Sequence, residues 1–189
     1  MIVKNKKGLI YIFVIAMLVI SVFSPFKSDL IKAQNLQELS GDKLTMEPLA
    51  ENENEYLILA DGNALLKYKD MTITGVNAEF NTLNGTILFN NNVVFKSENY
   101  EIKGDKLTGN TDNEEFTVSG NSTFISENIE ATADEIIYSQ SEEMAYLNGN
   151  VKGKQNGREF SAEKISIDLA SEKIELSGNA KLVFPDKGE

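Results

Sequence analysis

The chain has 189 residues, a quarter of them charged, with a net charge of −11, no histidine, no cysteine and one arginine, Arg158. That balance excludes a nucleic-acid binder resting on Lys/Arg contacts to phosphates. It also removes disulfides, thiolate zinc sites and cysteine nucleophiles, which leaves any catalysis to carboxylates, Lys, Ser, Thr or Tyr.

Lys4, Lys6 and Lys7 precede an uncharged stretch from Gly8 to Phe26. A basic start ahead of an apolar run predicts one hydrophobic helix that acts as a signal peptide or as an uncleaved anchor over residues 1–26. Excess lysine before the segment keeps the N-terminus in the cytoplasm and exports the remainder of the chain. Without those three lysines the exported part carries −14. Residues 27–40 read as a linker, 41–184 as the domain and 185–189 as a tail, with Pro185 ending the last strand. Within this frame Leu36–Ala60 resembles a degenerate half-unit, because "SGDKLT" at 40–45 returns as "KGDKLTG" at 103–109.

From residue 62 onward one phrase returns every 29 residues: "GNA" at 62, "NNV" at 91, "GNS" at 120, "GNV" at 149 and "GNA" at 178. A fixed period of this length marks a repeat architecture in which neighbouring units cover each other's apolar faces. Reading down the columns, apolar residues alternate with period 2, the mark of half-buried strands. The exported body is therefore all-β, with two bent strands per unit.

Parity identifies the inward side chains. After each Gly-Asn come Leu66, Phe95 and Phe124. The next block holds Ile73, Ile102 and Phe160. Before the following Gly-Asn stand Ile87 with Phe89, Phe116 with Val118, then Leu147 and Leu176. Large and small residues mix in these columns, with Ala131, Ala145 and Gly153 at equivalent places. A two-sheet structure with an incompletely filled interior admits an acyl chain, so these positions are the candidate lipid contacts.

Parity also switches four times per unit. Two switches fall at polar turns: "SEN" at 97–99 and 126–128 with "QNG" at 155–157, and "NTDNE", "SQSEE" and "ASEK". These predict chain reversals. The other two have almost no loop around them. One is the Gly-Asn itself, and the other is a small residue before an acid: Gly41-Asp42, Gly104-Asp105, Ala133-Asp134 and Ala162-Glu163. They predict continuous strands that each kink once. The asparagine column reads as a corner with positive φ at one residue, the acid column as a solvated corner, and "DNEE" at 112–115 as an acidic loop. No phosphate loop, dinucleotide fingerprint, nucleophile elbow or calcium repeat is present. The expectation is no catalytic residue, no metal and no cofactor.

The run from Ala133-Asp134-Glu135-Ile136-Ile137-Tyr138 to Leu147-Asn148-Gly149-Asn150-Val151 carries a resemblance. So does the run from Ala162-Glu163-Lys164-Ile165 to Leu176-Ser177-Gly178-Asn179-Ala180. Over about residues 40–184 the chain resembles the OstA/LptA family of periplasmic lipopolysaccharide-transport proteins. The resemblance implies a β-jellyroll of stacked antiparallel strands, open between two sheets to shelter acyl chains, and no enzyme. It implies partners as well: lipopolysaccharide or a related amphiphile, other jellyrolls of the transport bridge, an inner-membrane export complex, or further copies of the chain. Edge strands join end to end in such an assembly, here through Leu39 and Leu44 at one end and Leu182 and Phe184 at the other. A cleaved signal gives a bridge protein free in the periplasm. An uncleaved one, held at the inner membrane by residues 8–26, gives an LptC-type acceptor. A structural or adhesive solenoid with parallel stacking is the alternative from a different class.

Overall fold

The structure, a computed structural model, describes residues 36–49 and 52–185. The helix expected within residues 1–26, residues 27–35 and residues 186–189 lie outside this range. Twelve strands follow one another: β1 (Leu36–Ser40), β2 (Lys43–Leu49), β3 (Asn52–Tyr68), β4 (Met71–Asn81), β5 (Thr86–Lys96), β6 (Tyr100–Asn110), β7 (Glu115–Ser126), β8 (Ile129–Ser139), β9 (Met144–Gln155), β10 (Arg158–Asp168), β11 (Ile174–Ser177) and β12 (Lys181–Val183). β1 falls inside the stretch read as linker, and it pairs Leu39 with Leu66 of β3. The paired sheet therefore begins at Leu36.

From β3 to β10 each strand pairs antiparallel with the next. The long β3 carries β1 and β2 on its outer edge, and β10 carries β11 and β12. Antiparallel pairing overturns the parallel-solenoid alternative. Consecutive strands are joined by short polar reversals, too short for the crossover a parallel pair requires.

Every interior pairing breaks register once, always at the repeated Gly-Asn. Ser119 pairs with Glu135 and Ser122 with Ala133, so Gly120 and Asn121 face Asp134 alone. Two residues against one is a β-bulge, which bends the strand. Both bulge residues are left-handed, with φ 79° at Gly120 and 50° at Asn121, and the same pair recurs at 62–63, 91–92, 149–150 and 178–179. Sequence parity anticipated positive φ at one residue; a two-residue bulge on its own strand needs it at both.

The bulges fall in one line and fold the sheet along it into two leaves. The first leaf holds residues 64–68, 71–75, 93–96, 100–104, 122–126, 129–133, 151–155 and 158–162, with β1 and β12 at its edges. The second holds 56–61, 77–81, 86–90, 106–110, 115–119, 135–139, 144–148 and 164–168, with β2 and β11. Apolar side chains from both leaves meet in one continuous core. This is the all-β jellyroll. Burying each Phe, Leu or Ile there stabilises the fold by roughly 1.5–3 kcal/mol.

Candidate functional site

The interior between the leaves is where the sequence places function. Leu66, Ile73, Phe89, Phe95, Phe116 and Leu147 are fully buried; Ile87, Ile102, Val118, Phe124 and Phe160 are nearly so. Leu176, on the short β11, is partly buried against this core. Parity alone thus assigned the inward face correctly.

The mixing of large and small residues has a local cause. A Cβ added to Gly153 would stand 2.5 Å from Cζ of Phe160, its cross-strand partner. Gly109 makes room for the ring of Phe116 in the same way. The places beside Gly153 and Gly109 are therefore occupied by neighbouring rings of the same leaf, and across the leaves Phe95 meets Phe116 at 5.7 Å. A cavity of about 520 Å3 at the β12 end of the first leaf is lined by outward Thr132, Lys152 and Ser161 together with Ala131, Gly153 and Phe160 of the inward columns.

Six rings cross the middle of the trough. Phe95 and Tyr100 stack at 6.4 Å and 14°, and Tyr100 and Phe124 at 6.0 Å and 16°. Phe95 meets Tyr138 at 5.0 Å, and Tyr68 meets Phe116 at 6.3 Å. Offset and tilted arrangements at these separations add to the burial energy. Burial pushes the phenol of Tyr138 well above its usual range, reinforced by the hydrogen bond from its hydroxyl to Tyr100. The Tyr100 phenol is also pushed up, chiefly by burial. The column pattern contains these tyrosines but does not single them out. Their hydroxyls mark an amphipathic ring at a margin, a signal available in the residue type.

Along the fold line, asparagine and acid are partners. Nδ2 donates to Asp42 at 2.9 Å from Asn63, to Asp105 at 2.8 Å from Asn121, to Asp134 at 2.8 Å from Asn150 and to Glu163 at 2.5 Å from Asn179. Both residues of each pair are exposed, so the two columns form one ridge of corner ties. At the fifth corner Val76 takes the acid's place and Asn91 the glycine's. No group of His, Cys, Asp and Glu among the described residues is arranged to hold a metal.

On the side opposite the fold line, the turns of the two leaves face each other across a slit. In the second leaf the last turn residue is left-handed at Gly85, Glu114, Glu143 and Glu172, again 29 residues apart. Backbone bonds stitch that row together, Thr111 N–H to Gly85 O at 2.9 Å, Gln140 to Glu114 at 3.1 Å and Leu169 to Glu143 at 2.9 Å. Its carboxylates reach over the slit. Glu114 forms an ion pair with Lys69, which raises the lysine's pKa, while the Tyr68 hydroxyl donates to Thr111 O at 2.9 Å. Glu172 accepts from Asn128 Nδ2 at 2.7 Å and Ser126 Oγ at 3.3 Å, and its carbonyl accepts from Gln155 at 2.9 Å. In the repeat between them, Glu143 lies across from Ser97, Glu98 and Asn99, around a polar cavity of about 260 Å3 that also reaches Tyr100 and Tyr138.

Each end of the jellyroll leaves inward side chains uncovered. Leu44 and Met46 of β2 pair with the inward Ala60 and Ile58, yet are 47% and 57% exposed. At the far end Leu182, opposite Phe160, and Phe184 are 49% and 65% exposed. Leu39 is already packed against the core, and Met46 extends the mouth beyond the residues the sequence singled out. Two positions along a strand from Leu44, it shares that face by simple alternation.

The family described as LptA/(LptD N-terminal domain) LPS transport protein matches residues 72–173. A crystal structure of LptH, described as the LptA homologous periplasmic component of the lipopolysaccharide transport device of Pseudomonas aeruginosa, has the same fold. It superposes with a TM-score of 0.59 at 18% identity, covering 61% of this chain and 95% of that one. No curated protein matches in sequence.

Proposed function

The chain belongs to the LptA/LptD N-terminal domain family of lipopolysaccharide-transport proteins, and on that premise we propose that it is an exported module that shelters acyl chains of lipopolysaccharide, or a similar glycolipid, between its leaves. It relays them between membranes by joining end to end with other jellyrolls. The observation that carries this reading is the pair of open mouths. Inward apolar residues are uncovered on the second leaf at one end (Leu44, Met46) and on the first leaf at the other (Leu182, Phe184). Among the described residues β1, β2, β11 and β12 each pair on one side only, and such edges suit strand addition by a partner. Stacking β12 of one jellyroll beside β1 of the next would bring Leu182 and Phe184 opposite Leu44 and Met46. The trough would then run on unbroken.

No step of this function needs bond chemistry. Shelter and passage rest on apolar area removed from water, at about 25 cal/mol per Å2, with the interior positions named above as the contacts. Photo-crosslinkers at Phe124 and Phe160 in cells test the reading. Labelling of a glycolipid at both supports it, and labelling at neither, with the protein folded and exported, sinks it.

A further inference from the structure

The two rows of turns that face each other across the slit repeat in register, so their contacts can be compared unit by unit. In the first unit the crossing contact is Lys69 on Glu114. Two units later it is Asn128 and Ser126 on Glu172. The unit between repeats the third unit's turn, Ser97-Glu98-Asn99 against Ser126-Glu127-Asn128, and brings it to the same cavity as Glu143. Among the described residues, unlike Ser126 and Asn128 on Glu172, neither Ser97 nor Asn99 bonds to Glu143, and the carboxylates of Glu98 and Glu143 do not attract each other. A polar cavity lies between the rows here, with Gln140 Oε1 buried beside it and lacking a hydrogen-bond partner, and with the Tyr138 hydroxyl bonded to Tyr100 behind it. The nearby crossing bond from Gln140 Nε2 to Asp70 is long, at 3.5 Å.

The interior behind this slit is filled, so acyl chains reach it only if the leaves part. The fold line is ill suited to parting, because every bulge there is continuous backbone held by an asparagine–acid tie or a paired neighbour. The slit is held by side chains alone. We propose that the row of turns is a clasp on the side of the trough, and that acyl chains enter where Glu98 faces Glu143 and the tie is missing, instead of threading from an end. The proposal rests on the lipid-sheltering reading above and gives it a route.

The chain has no cysteine, so Glu98→Cys and Glu143→Cys supply the only thiols. A reducible bis-methanethiosulfonate reagent then joins the two rows of the exported protein. The readout is the rate at which fluorophore-labelled lipopolysaccharide is taken up from dilute detergent micelles. Uptake at least about tenfold slower in the joined form, restored by reductant, is expected. Equal rates in the joined and reduced forms overturn the side route and leave lipid binding intact. No uptake by the unmodified chain overturns the lipid reading, and the clasp with it. Glu143→Lys is the second variant, since it recreates the Lys69–Glu114 arrangement with Glu98. It is expected to slow uptake by about two- to fivefold, the range of an exposed ion pair, and high salt is expected to restore the rate by screening. A rate unchanged by this variant at low salt also counts against the clasp.

Discussion

Replacing Gly120 by alanine tests whether the corner is a coupled unit of glycine and acid. Gly120 has φ 79°, and a Cβ there would stand 2.6 Å from Oδ2 and 2.9 Å from Cβ of Asp105. The substitution carries two costs. The left-handed backbone costs alanine about 1–2 kcal/mol. The carboxylate must also swing away and release Asn121 Nδ2, now 2.8 Å from it, and an exposed hydrogen bond of this kind contributes about 0.5–1.5 kcal/mol. Gly120→Ala should therefore destabilise by about 2–3 kcal/mol, or roughly 4–12 °C in Tm for a domain of this size. In an Asp105→Ala background only the backbone cost remains, so the double-mutant cycle should show a coupling of about 1 kcal/mol. The chain contains its own version of the double change: where Val76 replaces the acid, Asn91 replaces the glycine at φ 63°. Thermal or urea unfolding of the four proteins measures the cycle. Additive costs, with coupling near zero, would refute the reasoning.

The interior supplies two further outcomes. With folded-state pKa values raised by burial, the phenols of Tyr100 and Tyr138 favour the fold only while protonated. The unfolded chain releases those protons near pH 10, so stability holds below that pH and falls as pH rises beyond it. Phenolate absorbance of these two residues should therefore appear together with loss of the β circular-dichroism signal, and Tyr138→Phe should flatten the alkaline decline; phenolates forming in an intact fold would contradict this. Gly153→Ala should cost about 1–3 kcal/mol by overpacking, with Phe160→Leu recovering only part of it, because backbone O of Glu130 also stands 2.6 Å from the new Cβ. A neutral Gly153→Ala in a thermal melt would show that Phe160 does not fill the place beside Gly153.

Much of this was legible in the sequence because the period is strict. The register of four Gly-Asn phrases and one Asn-Asn located the bulges of every interior pairing, and period-2 parity on either side named the inward residues from Leu66 to Leu176. Turn chemistry gave the reversals, since Asn110 and Asp168 cap their turns through Oδ1 as such residues do in Asx turns. Three things were not legible. The linker boundary was misplaced because Leu36–Ser40 lies before the first Gly-Asn and has no register to betray it. Mixed volumes in the columns suggested room, whereas column reading compares residues two strands apart and misses the adjacent strand, where Phe160 fills the place beside Gly153. The clasp was hidden because it joins turns 44–46 residues apart, across a slit that exists only once the sheet has folded.

These two margins obey different constraints, and the difference bears on function. A corner is set by backbone: left-handed φ at two consecutive residues admits Gly and Asn and little else, so the sequence phrase is nearly invariant from unit to unit. The clasp asks only that a side chain reach across: Glu114, Glu143 and Glu172 recur on one row, facing Lys69 once and Ser-Glu-Asn twice, at 97–99 and 126–128. The interior behind the clasp varies along the repeats. Six rings lie behind its first two units, and Ala131, Ala145 and Gly153 lie behind the last. Small side chains offer fewer dispersion contacts, and past the ring cluster the core is aliphatic, with Ile136, Leu147, Val151, Ile165 and Ile167 buried beside Phe160. A chain entering beside Glu98 would meet aromatic rings towards β3 and aliphatic side chains towards β12, on the side of the mouth lined by Leu182 and Phe184.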